Sequence, residues 1–176
     1  NVHMREIFLI YTFLSFTIFV NSQDILGFSF EKYSVKDISA KRTPVNLKSH
    51  YLGLKYKSVI SEQYNKGEIN FGGHYVLILW GNGAGLSKGV MVDVLNGNIH
   101  ELPLSYENSY RGVYHDQNNN ILYKKNSFLF ICYKSKANEK DYHQVDLDYS
   151  FYHWNERNKI FSLITTKKWT TNVIDD

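Results

Sequence analysis

The residues best suited to chemistry gather in one stretch, from Ile69 to Leu102. His74 follows Gly72-Gly73 and opens a strand, where its side chain could project from the sheet end as a general base or a ligand-orienting group. The plainer alternative is a ring that hydrogen-bonds backbone nearby. Asp93 sits on the next strand as a candidate acid partner, or as a cap on the turn that follows it. Between the two lies a loop in which Gly81, Gly83 and Gly85 alternate with Asn82 and Ala84. Such a loop could turn backbone N–H groups toward an anion. A phosphate loop, however, runs into a helix, and here a second strand follows without a closing Lys-Ser/Thr, so a tight hairpin is the simpler reading. Asn70, His74, Tyr75, Trp80 and Asn82 are the candidate ligand-binding residues of this stretch.

The other chemical candidates are weaker. Asp146 and Asp148 lie on one strand face about 7 Å apart, a spacing that could hold calcium or do acid/base work but that also suits solvated strand-face charges. The 7 His include no HExxH and no short Cys/His pattern, and there is no Gly-x-Ser-x-Gly elbow. The single cysteine, Cys132, stands inside the apolar run Phe128 to Tyr133 and reads as a small core residue rather than a nucleophile. No metal and no cofactor is called for by these patterns.

The elements that must position these groups are mainly strands. His74 to Trp80 is β-branched, aliphatic and aromatic without proline, and its continuously apolar second half predicts a central strand covered on both faces. Gly89 to Val94 is the next strand. Leu95-Asn96-Gly97-Asn98 then supplies an Asn-Gly pair, the strongest short hairpin signal, and Ile99 to Leu102 returns before Pro103. Upstream, Ile25 to Tyr33 alternates weakly and predicts a first strand. Leu47 to Tyr64 carries the one helical pattern, with Leu52, Tyr56, Val59, Ile60 and Gln63 on one face and Asn65-Lys66-Gly67 as its stop. Downstream, Leu104 to Arg111 reads as a loop, and strands are expected at Ile121–Lys124, Ser127–Tyr133, His143–Trp154 and Lys159–Thr166, with a solvated tip at Lys134–Asp141. The alternation in His143–Trp154 is the cleanest: Val145, Leu147, Tyr149, Phe151 and His153 on one face. The tail from Thr170 should fray. The fold class expected is mainly β (α+β): a curved antiparallel sheet or partial barrel of about seven to eight strands with one packed helix.

The run Asn70-Phe71-Gly72-Gly73-His74-Tyr75, followed by Trp80-Gly81-Asn82-Gly83-Ala84-Gly85-Leu86, resembles a family of small secreted bacterial proteins of unassigned function. The family core reads Asn-Phe-Ala-Gly-His-Tyr, then Trp-Gly-Cys-Gly-x-Gly-Cys, with an Asp and a glycine-turned hairpin after it, as Asp93 and Gly97 stand here. Asn82 and Leu86 replace the two cysteines, so any disulfide, redox or metal role of that pair is absent from this chain. The resemblance implies export and a compact β-rich fold; it implies no reaction.

Export is also the reading of the N-terminus. Met4 and Arg5 precede Ile7 to Val20, a run without charge that is short for a bilayer span and fits a signal-peptide core. Val20 and Ser22 place cleavage before Gln23. Residues 1–22 are thus expected to be a signal peptide and residues 23–176 a single β-rich domain, secreted or periplasmic, with no further membrane span. The net charge of +3 is spread thinly, so nothing suggests nucleic acid as a partner. With 14 Tyr and 11 Phe and no disulfide available, the core must rest on aromatic area. Three functions remain in view. The first is an exported non-enzymatic binding module, inhibitor- or immunity-like, for a protein or envelope ligand. The second is a small periplasmic hydrolase around His74 and the Gly81–Gly85 loop; the third is a structural envelope protein.

Overall fold

Strand β1 (Tyr75–Gly81) turns through the glycine loop into β2 (Ser87–Asp93), which turns through Asn96-Gly97 into β3 (Ile99–Glu101). Together they form an antiparallel sheet in the order β1-β2-β3. A second antiparallel sheet, in the order β4-β5-β6-β7, is built from β4 (Ile121–Tyr123), β5 (Leu129–Ala137), β6 (Gln144–Asn155) and β7 (Ile160–Asn172). This computed structural model describes residues 24–38, 41–83, 85–112 and 120–172. The expected signal peptide lies outside them. No helix among the described residues is long and apolar enough to cross a membrane.

The single curved sheet or partial barrel expected from the sequence is replaced by two sheets of three and four strands, neither closed. The physical reason is visible in β1. Its Val76 and Ile78 join Val90, Val92 and Val94 in a cluster under the helices, while Tyr75 and Leu77 join Met91 in a cluster facing the second sheet. β1 is covered on both faces, as its apolar run predicts, yet it is an edge strand rather than a central one. The side chain of Asn70 stands in for a neighbour: Oδ1 accepts from the Leu77 N–H at 2.7 Å and Nδ2 donates to the Leu77 carbonyl at 3.1 Å.

The helical pattern breaks into α1 (Tyr51–Lys55) and α2 (Lys57–Lys66), separated at Tyr56, whose φ of −118° and ψ of 35° are not helical. Leu52, Ile60 and Tyr64 are buried against the first sheet, so the buried stripe ends on Tyr64 and leaves Gln63 exposed. Gly53 reads in sequence as a weak point. In the fold it is a close-approach site, because a Cβ there would lie 2.3 Å from the Leu47 carbonyl oxygen and 2.7 Å from Ile99 Cδ1.

Four other expectations change. Ile25–Tyr33 is not a strand: an isolated bridge joins Ile25 to Phe28 and a 3-10 turn covers Phe30–Tyr33. This segment lays Phe28 and Phe30 over Leu129, Ile131 and Phe151, which covers the outer face of the second sheet. Residues expected to be loop form a short helix, α3 (Tyr106–Ser109), started by a capping box between Ser105 and Asn108. β5 runs on through Ala137, so the tip is shorter than expected. β7 continues to Asn172 where fraying was expected, because β6 pairs with it from end to end.

Replacing Gly53 with Ala should cost about 2 kcal/mol, since the clash is with backbone that cannot swing away. Urea unfolding monitored by far-UV circular dichroism measures it, and an unchanged midpoint would mean that α1 slides freely on the sheet.

Candidate functional site

Strand periodicity sets the site. Tyr75 and Asp93 are cross-strand partners, as are Met91 and His100. Because side chains alternate, all four share the face that looks at the second sheet. Trp154 of β6 reaches into the same layer from the other side. The β6–β7 hairpin then folds Glu156 and Lys159 over the end of this layer.

The result is a half-enclosed ionic cluster. The Lys159 ammonium donates to the Tyr75 hydroxyl at 2.7 Å, lies 3.5 Å from Asp93 Oδ2, and is in contact with Glu156 Oε1. The Tyr75 hydroxyl donates to Glu156 Oε2 at 2.7 Å, and the Trp154 indole N–H donates to the same oxygen at 2.8 Å. His74 Nε2 lies 3.4 Å from Glu156 Oε1 and 3.8 Å from Asp93 Oδ1, and neither ring nitrogen has a hydrogen-bond partner. His74 and Asp93 are 3% and 1% exposed, so no ligand touches them without movement of the hairpin. Asp93 also fills its expected structural role: Oδ1 accepts from the Leu95 N–H at 2.9 Å and Oδ2 from Asn96 Nδ2 at 3.0 Å.

The local electrostatics follow from burial and partners. Burial, then the Glu156 carboxylate, pushes the Tyr75 hydroxyl up, so Tyr75 stays a donor. Burial opposes ionisation of Glu156, but hydrogen bonds from Lys159, Tyr75 and Trp154 outweigh it and hold the carboxyl below the usual range. His100 stacks edge-on against Trp154 at 5.2 Å, and burial followed by the Lys159 charge pushes its imidazole down. Burial pushes the Cys132 thiol up to about 12, which fits a core residue and not a nucleophile.

Lys159 holds a left-handed backbone with φ of 54°, at the end of the turn where its N–H donates to the Asn155 carbonyl at 2.8 Å. Glycine or asparagine relieves that conformation. A lysine there is explained by what its ammonium reaches.

Of the sequence candidates, His74, Tyr75 and Asp93 converge. Asn70 is committed to the β1 edge. Trp80 packs on Tyr56 at 4.8 Å beneath the helices, with its indole N–H buried and unpartnered. Asn82 is exposed in the glycine loop, where its N–H donates to Leu86. That loop lies at the far end of β1 from Tyr75, about 20 Å along the strand, so it does not share a site with His74. Asp146 accepts from Thr170 and Asn138, which hold its carboxyl low in that order. Among the described residues no group of three His, Cys, Asp or Glu could hold a metal ion; between Asp93 and Glu156 the Lys159 ammonium takes the place a cation would fill. Glu156, Lys159, Trp154 and His100 were not legible as site residues, since the Asn155–Asn158 turn carries no motif. No known protein family, curated protein or solved structure matches the chain.

Two outcomes test this cluster. Lys159→Gly relieves the left-handed backbone but leaves Asp93 and Glu156 facing each other; it should lose about 2 kcal/mol in urea unfolding. A stabilised variant would mean the ions contribute nothing. His100 is depressed below its ordinary 6.5 in the fold, so the unfolded chain binds more protons and stability falls as pH drops below 6.5. Glu156 adds a further loss as pH falls below the ordinary 4.5 toward its folded value. Tm against pH should show His100→Asn flattening the upper window and leaving the lower one in place.

Proposed function

We propose that the protein is an exported binding module that recognises an extended segment of a partner protein or envelope ligand along β7. The observation that carries this reading is the outer strand of the second sheet. β7 is thirteen residues long, is paired on one side only among the described residues, and exposes Ile160, Leu163, Ile164 and Trp169. An unpaired edge offers backbone N–H and C=O groups to an added strand, and the side chains beside it give the contact area. Two devices that discourage indiscriminate pairing are present, the register shift at Phe151/Tyr152 and the Lys167-Lys168 pair. They limit which partners fit. The likeness of residues 70–102 to small secreted proteins supports the exported half of the reading.

The rival enzyme reading asks for His74 beside a carboxylate in an open pocket. The carboxylates are near, but His74 is closed in, which favours the binding module.

Replacing Trp169 with a photo-crosslinking phenylalanine analogue, then irradiating in native envelope extract, should give one reproducible adduct. Ile164→Pro should abolish it and His74→Ala should retain it. Loss with His74→Ala, or retention with Ile164→Pro, would move the function away from β7.

A further inference from the structure

The sequence holds two Asn-Gly pairs, Asn82-Gly83 in the glycine loop and Asn96-Gly97 in the β2–β3 turn. Such a pair carries its own chemistry, because glycine has no Cβ to keep its backbone nitrogen away from the asparagine side chain. That nitrogen attacks the asparagine Cγ, a C–N bond forms, and ammonia leaves with the proton that the nitrogen gives up. Water then opens the succinimide ring on one side or the other, which yields aspartate or isoaspartate. Water is the sole co-reactant. The step requires a side chain free to swing and a joining peptide free to rotate.

The fold treats the two pairs differently. At Asn96 every moving part is held. Its Nδ2 donates to Asp93 Oδ2 at 3.0 Å, and its Oδ1 accepts from the Asn98 N–H at 2.8 Å. The Gly97 N–H donates to the Asp93 carbonyl at 2.8 Å, and the Gly97 carbonyl accepts from the Asn46 N–H at 2.8 Å. Gly97 is packed so closely that a Cβ there would lie 2.2 Å from the Pro44 carbonyl oxygen. Asn82 and Gly83 are both exposed, and a Cβ on Gly83 would meet no atom within 4 Å. The loop is closed by the Asn82 N–H on the Leu86 carbonyl and the Leu86 N–H on the Gly83 carbonyl, each at 2.9 Å. Those bonds leave the peptide between the pair untied. Among the described residues, the Asn82 carbonyl, the Gly83 N–H and the Asn82 side chain have no hydrogen-bond partner.

We propose that Asn82 is a self-modification site, which deamidates in the folded protein while the β2–β3 turn protects Asn96. Conversion gives the glycine loop a carboxylate and lowers the formal charge of +3 by one. The isoaspartate product also lengthens the backbone there by one carbon. The new charge repels anions from the backbone N–H groups of the loop and favours cations beside it. The site is separate from the strand edge of β7 and stands if that reading fails.

The purified chain, incubated in mildly alkaline buffer and mapped by peptide mass spectrometry, should show Asn82 converted to aspartate and isoaspartate. Asn96 should convert at least about tenfold more slowly, since its side-chain and backbone bonds must open first. In denaturing guanidinium the two pairs should convert at similar rates, which assigns the difference to the fold. Isoelectric focusing should show an acidic band that grows with the mapped conversion. Asn82→Gln, an exposed change that circular dichroism should find folded, should lack that band. The proposal is overturned if Asn82 stays intact, or if Asn96 converts as fast in the folded chain. It is overturned equally if guanidinium leaves the difference unchanged, or if Asn82→Gln gains the acidic band at the wild-type rate.

Discussion

The contact between the Lys159 ammonium and the carboxylates of Asp93 and Glu156, bridged by the Tyr75 hydroxyl, is where the two sheets depend on each other. Each ion alone would be costly at its depth, Asp93 most of all at 1% exposure. Together they are satisfied, and the cluster draws on three parts of the chain: Tyr75 from β1, Asp93 from the end of β2, and Glu156 and Lys159 from the β6–β7 hairpin. The apolar layer around Met91, Phe130 and Trp154 supplies area without direction. The ionic cluster supplies direction, because only one placement of the hairpin brings Lys159 to both carboxylates.

That division explains what could be read in advance. Strand positions in the Tyr75–Glu101 meander and in β6 follow from alternation and from the Asn96-Gly97 turn, which are local signals. Asp93 as a turn cap was legible for the same reason. The split into two sheets was not, since the apolar run of β1 looks the same whether a strand lies beside it or the Asn70 side chain takes that place. The site was half legible. His74, Tyr75 and Asp93 sit in a distinctive stretch, whereas Glu156 and Lys159 sit in a turn of ordinary composition. Their role depends on a contact across about eighty residues of sequence, such as the 81 between Tyr75 and Glu156.

Ile160 begins β7 directly after Lys159, so the hairpin that closes the ionic cluster also carries the root of the exposed strand. The anchoring of that turn by Lys159 therefore fixes where β7 leaves the body of the second sheet.

The covering segment of the second sheet has a further consequence for how the chain assembles. Phe28 stacks on Phe151 at 4.2 Å, and the Lys167 ammonium donates to the Leu26 carbonyl across a separation of 141 residues. The first described residues thus pack on strands from the second half of the chain. The Thr43–Asn46 segment waits in the same way for the hairpin at Val94–Gly97. Contacts of such long range must meet the loop-closure entropy before any of their energy is returned. Folding should therefore be slow for a chain of this size and all-or-none, with the outermost layer completed after the strand that it covers.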